Sequence, residues 1–157
     1  MSRIMKVFAC LVVAATAVTV FSGCQLTRTP LTSNGFKTKA EAAGYTTQVG
    51  SDNLTAGLFE GRITASKGNG YRIEFGVALT EEIAKSFYQD KYTFYEANKE
   101  SSPASASHAS AVNFEYFYLI VGDRFCETSR TENTIIYVSA PEAYASEIKQ
   151  FLKDIGY

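Results

Sequence analysis

The chain predicts an α+β fold: a two-layer sandwich with an antiparallel sheet of about five or six strands and two or three helices packed on one face. Three observations lead there. Segments alternating apolar and polar residues recur along the chain, the connections between them are mostly of hairpin length, and helical periodicity is confined to a few separate segments. Strand order cannot be read from the sequence.

The elements follow in order. Phe36 to Ala43 reads as a short helix stopped by Gly44, with Tyr45 folding back onto its last turn. Leu58 to Ser66 alternates, with Phe59, Ile63 and Ala65 on one face and Glu60, Arg62 and Thr64 on the other. Tyr71, Ile73, Phe75, Val77 and Leu79 form a clearer stripe, with Arg72 and Glu74 turned away from it. Between these strands Lys67-Gly68-Asn69-Gly70 has hairpin composition. Thr80 suits an N-cap, and Glu81 and Glu82 suit the first turn of a helix, where the backbone dipole favours negative charge. An apolar stripe of Ile83, Ala84, Phe87, Tyr88, Phe94 and Tyr95 carries that helix to about Ala97.

Glu100 to Ser110 (ESSPASASHAS) is of low complexity and reads as an exposed flexible loop. Asn113 to Val121 is aromatic and aliphatic almost throughout, a strand covered on both faces or central in the sheet. Gly122-Asp123 signals a tight hairpin into Arg124 to Ser129. The chain then runs through Arg130 to Asn133 into a strand over Thr134 to Ser139. Pro141 opens a final helix whose apolar face is Tyr144, Ile148, Phe151, Leu152 and Ile155, closed by Gly156-Tyr157. A helix followed by Gly-Tyr thus occurs twice. This is either the trace of a duplicated unit of one helix and about three strands or the ordinary recurrence of a common helix stop.

The start of the chain is of another kind. Arg3 and Lys6 precede an uncharged apolar run from Val7 to Phe21, and Phe21-Ser22-Gly23-Cys24 closes it. About 15 apolar residues make a secretory leader and fall short of the roughly 20 needed to span a bilayer as a helix. Residues 21–24 resemble the lipobox of bacterial lipoproteins, in which a small pair precedes a cysteine that is lipidated and becomes the first residue; Phe21 stands where that family usually has Leu, Val or Ile. The resemblance covers residues 1–24 only. It implies a thioether-linked diacylglycerol and an N-acyl chain such as palmitate on Cys24, and a cell-envelope location on the extracytoplasmic side. Gln25, in place of Asp, implies the outer membrane if the host has two membranes. Otherwise the protein would sit on the outer face of the cell membrane. Two or three acyl chains bury enough methylene groups, at about 0.8 kcal/mol each, to hold a soluble domain. The alternatives are an ordinary signal peptide cut after Ala15-Thr16-Ala17 and an uncleaved membrane anchor.

The expected organisation is a signal peptide over 1–23, a lipid-anchored tether over 24–35 and a single α+β domain over 36–157. The leader removes two of the 15 basic residues and none of the 16 acidic ones, so the mature chain carries a formal −3. No basic face is implied, and nucleic acid is not an expected partner. The expected partners are the lipid bilayer, through acylated Cys24, and an envelope protein.

Candidate chemistry is sparse, and no catalytic, metal or cofactor site is expected. Cys126 and His108 are the one nucleophile–base pair available, but His108 falls in the low-complexity segment and Cys126 in a strand. A calcium loop is excluded by the spacing of Asp52 with Asn53 and of Glu81 with Glu82. Gly68-Asn69-Gly70 leads into a strand, not the helix that a phosphate loop needs. The sequon Asn53-Leu54-Thr55 carries little meaning in a bacterial protein. Tyr116 and Tyr118 alternate with Phe117, so one face of their strand offers tyrosines for sugar or peptide recognition, or for a buried sheet centre. The leading expectation is a non-enzymatic binding module. The alternatives are an envelope enzyme using Cys126 or a carboxylate site formed only in the fold, and a structural or assembly component of a larger envelope complex.

Overall fold

The computed structural model describes residues 27–50, 57–68, 70–99 and 104–157. The leader, Cys24, Gln25, Asp52, the sequon and Asn69 lie outside the described residues. Among the described residues three helices, α1 (Ser33–Ala42), α2 (Glu81–Asn98) and α3 (Ala145–Ile155), accompany seven strands: β1 (Thr46–Val49), β2 (Phe59–Ser66), β3 (Arg72–Ala78), β4 (Ala104–Ser110), β5 (Phe114–Val121), β6 (Arg124–Thr131) and β7 (Thr134–Pro141). All are paired antiparallel in one sheet of order β1-β2-β3-β7-β6-β5-β4. The fold is α+β, with a meander of three strands and a meander of four joined through β3 and β7. No helix among the described residues is long and apolar enough to cross a membrane.

Two of the seven strands, β1 and β4, were not expected, and they are the two edges of the sheet. An edge strand packs against one neighbour and carries little apolar patterning. β1 reads Thr-Thr-Gln-Val and is mostly exposed. β4 alternates Ala and Ser, and it turns most of the expected 100–110 loop into a strand fully registered on β5, from Ala104↔Val121 to Ser110↔Glu115.

The helices do not share one face, which corrects the two-layer expectation. α1 and α3 cover a core of Phe36, Tyr45, Ile73, Phe75, Phe125, Ile136, Val138, Ile148, Phe151 and Leu152. α2 covers the opposite face, where Tyr88 and Tyr95 pack on Phe117, Leu119, Cys126 and Ile135. The cause lies in the central strands. On β7 Ile135 faces α2 while Ile136 and Val138 face α1 and α3, so a helix on one side alone would leave an apolar face in water.

Local signals account for the element ends. Thr32 and Thr80 cap α1 and α2 by accepting from the backbone N–H groups of Gly35 and Ile83. Gly44 and Gly156 take φ of 85° and 97°, and the N–H groups of Tyr45 and Tyr157 return to the carbonyls of Ala40 and Leu152 at 2.9 and 2.8 Å. The two Gly-Tyr stops are therefore the same device, but α1 precedes its strands and α3 follows them. No helix-plus-strands unit beginning at these helices is repeated. Pro141 ends β7 and precedes a 3₁₀ turn over Glu142–Tyr144, so α3 starts later than expected.

Side-chain directions depart from a simple period of two at two places. A bulge between Phe59 and Gly61 sends Phe59 to the α2 side, edge-on to Phe87 at 4.9 Å, while Ile63 and Ala65 stay in the other core. Phe94, expected on the apolar stripe of α2, is 62% exposed.

Candidate functional site

The α1/α3 face of the sheet is not fully covered. At the β5–β6 end, beyond α3, a cleft of about 260 Å³ is lined by Arg28, Tyr116, Tyr118, Glu127, Lys149, Leu152 and Tyr157. Its walls come from four parts of the chain. Arg28 lies in the segment before α1, and Asn113 fixes it there: the Asn113 side chain accepts from the Arg28 N–H at 2.9 Å and donates to its carbonyl at 2.8 Å. Thus the segment expected as a tether is held against the domain from Arg28 onward, and Ser33 to Gly35 already belong to α1. Lys149 comes from α3, and Tyr157 follows the Gly156 stop. Tyr116 and Tyr118 come from β5, the tyrosine face anticipated from alternation, and both are half-buried.

Glu127 forms the floor. It sits in β6 directly between Tyr118 of β5 and Val138 of β7, on the core side and two residues from buried Phe125. It is 6% exposed and, among the described residues, makes no hydrogen bond or ion pair. Burial pushes its carboxyl up to about 7, against the opposing pull of the Lys149 and Arg28 charges. A buried, unpaired carboxylate in a place where an apolar residue would pack is an expensive arrangement.

The two cations at the rim are not ion-paired among the described residues either. The Lys149 ammonium lies 3.5 Å from the centroid of the Tyr118 ring, and the Arg28 guanidinium lies 4.0 Å from that of Phe114 and 5.7 Å from that of Tyr116. Arg28 also donates weakly to the Ser129 hydroxyl at 3.4 Å. Burial lowers the Arg28 guanidinium from its usual range, and the Glu127 charge opposes that. The Tyr157 hydroxyl, pushed up to about 12 by burial, bonds to Thr134.

A second concavity lies on the opposite face, past the end of α2. It is wider, about 630 Å³, and its polar lining includes Gln48, Thr64, Arg72, Glu74, Arg124 and Ser139. Here the charges are already engaged: Glu74 with Arg62 at 3.1 Å and Arg72 at 3.3 Å, and Arg124 with the Ser139 hydroxyl at 2.6 Å. In the Glu127 cleft, by contrast, the charged groups Glu127, Lys149 and Arg28 form no ion pair among the described residues.

The nucleophile–base pair does not assemble. His108 pairs with Phe117, which pairs with Thr128, two residues along from Cys126. At about 4.8 Å per strand and about 3.4 Å per residue, their backbones are roughly 12 Å apart. The His108 ring packs on Tyr92 at 5.1 Å, and the buried Cys126 thiol donates to the Ser139 hydroxyl at 3.6 Å. Among the described residues no three His, Cys, Asp or Glu side chains converge as metal ligands. The other buried charge, Arg130, is consumed in structure: it donates to Glu115 at 2.8 Å, to Glu81 at 3.1 Å and to the Glu132 carbonyl at 3.0 Å, tying α2 to the sheet. That carbonyl belongs to the one non-glycine described residue with positive φ, 51°.

Sequence reasoning missed Glu127, Lys149 and Arg28. One signal was available: Phe125 and Glu127, two apart in a strand, must share a face, so a buried Phe125 implies a buried carboxylate. No protein-family model matches this chain, and no curated protein or solved structure is significantly similar to it.

Proposed function

We propose that this chain is a lipid-anchored, non-enzymatic binding module of the bacterial cell envelope, taking a small polar ligand into the cleft around Glu127. The observation that carries the binding reading is Glu127 itself, a carboxylate 6% exposed, without a hydrogen bond or ion pair among the described residues and facing an open cleft. Such a group lowers stability unless something else uses it. The anchor rests on the lipobox resemblance at residues 21–24. Acyl chains on Cys24 would hold the protein on the extracytoplasmic side, in the outer membrane of a two-membrane host.

Two experiments test the two parts. The intact mass of protein from host membranes should correspond to a chain starting at Cys24 with added acyl chains, absent in Cys24→Ala; a mature mass without acyl chains would remove the anchor. For the cleft, the small-molecule fraction of an envelope extract should raise the melting temperature of the wild type but not of Glu127→Gln or Tyr118→Ala. A shift of equal size in both variants would place the ligand elsewhere, and no shift in any of the three would refute a small-ligand module.

A further inference from the structure

We propose that the cleft around Glu127 is a site for a free α-amino acid, its ammonium group on the Glu127 carboxylate and its carboxylate between Lys149 and Arg28. This deepens the binding-module reading and rests on it. The argument is one of unspent charge. Glu127, Lys149 and Arg28 line one open cleft, and although both cations act on the Glu127 charge, among the described residues none of the three is ion-paired. An ammonium alone would meet two cations at the rim. A carboxylate alone would meet Glu127. A molecule carrying both charges a few bonds apart satisfies all three groups, and about 260 Å³ holds a molecule of that size.

A sugar fits less well. Sugars stack on open aromatic faces, whereas Lys149 covers the Tyr118 ring at 3.5 Å and Arg28 lies over Phe114 and toward Tyr116. The Tyr116, Tyr118 and Tyr157 side chains supply walls for the side chain of the amino acid. The groups facing Glu127 are Arg28 from the N-terminal segment, Lys149 from α3, Tyr116 and Tyr118 from β5, and Tyr157 after α3.

Isothermal titration of the full mature chain with the free amino acids, beside acetate, ethylamine and N-acetylglucosamine, is the test. At least one amino acid should bind, and both Glu127→Gln and Lys149→Met should weaken it tenfold or more. Glu127→Gln keeps the shape of the side chain and removes a buried charge, so folding should survive; circular dichroism checks this, and Lys149→Met, half-exposed, provides an independent variant. The pH dependence has a definite sign. Glu127 must ionise to pair with an ammonium, so affinity should rise about tenfold from pH 6 to pH 8 for a group titrating at about 7, with protons released on binding at pH 6.5. Affinity falling with pH, acetate or ethylamine binding as tightly as the amino acid, or no heat from any amino acid would overturn the assignment. Heat from N-acetylglucosamine alone, lost in Glu127→Gln, would overturn the amino-acid ligand while leaving a binding module standing.

Discussion

Replacing Glu127 by Gln should make the protein more stable at neutral pH and leave it nearly unchanged in acid. The carboxyl titrates at about 7 in the fold against 4.5 in a model peptide, because burial disfavours its charged form. Between those two values the unfolded chain has given up this proton and the native one has not. The native state therefore binds more protons, and stability falls as pH rises through that window. A displacement of about 2.5 units at 1.36 kcal/mol per unit amounts to about 3 kcal/mol. The stability from the protonated group is fully present below about pH 4.5 and lost by about pH 7, and Gln, which does not titrate, removes this component. Urea unfolding of both proteins at half-unit steps from pH 4 to pH 8 gives the difference directly, provided m is the same for the two. The variant should gain on the wild type across the window and level off above it. A difference flat with pH, or one that grows toward acid, would refute the claim that Glu127 is held as a buried acid without a fixed partner.

Other perturbations address the scaffold. Arg130→Met should cost about 2 kcal/mol in urea unfolding, below the usual cost of breaking a fully buried pair, because Glu81 and Glu115 are partly exposed and can rehydrate. Arg130→Lys should recover little of it, since an ammonium cannot reach three acceptors from one planar fork; full recovery would show that charge alone matters there. Gly76→Ala should cost about 1–3 kcal/mol, because the added methyl group would come within 2.8 Å of the Phe59 ring. Phe59→Leu in the same chain should relieve part of that, and strict additivity of the two would remove the contact as the cause. The Cys126 thiol should react with Ellman's reagent only after unfolding, since it is 9% exposed. Rapid native labelling would revive a thiol enzyme.

What was legible in the sequence was whatever repeats with a period and has one apolar side. The stripe Tyr71, Ile73, Phe75, the stripe Ile148, Phe151, Leu152, Ile155, the antiparallel pairing of β2 with β3 and the turn at 122–123 all lie where the alternation puts them. The edge strands escaped notice because a strand with one neighbour needs no apolar face, and Ala-Ser alternation looks like a linker. The second helical layer escaped for the opposite reason. When β5, β6 and β7 bury side chains on both faces, the pattern no longer says on which side a helix lies. The same saturation concealed Glu127, since Arg-Phe-Cys-Glu-Thr-Ser shows no clean inside and outside until the pairing partners are known. Arg28 was hidden by composition: the Thr- and Pro-containing segment around it reads as a leash, and only the side chain of Asn113, 85 residues later, pins it.

The order of the strands also governs how the chain can acquire its shape. The middle of the sheet is the seam between β3 and β7, where Ile73 meets Val138 and Phe75 meets Ile136. Those partners are synthesised roughly 60 residues apart, which at about 5–20 residues per second is a delay of several seconds. During that interval the first meander has no neighbour for β3, and Phe36 and Phe75 have no α3 to shelter them. The N-terminal part cannot reach its final form early, because β3 gains its second neighbour only when β7 is made. The seam between β3 and β7 is thus the last part of the sheet to close, although it lies at its centre.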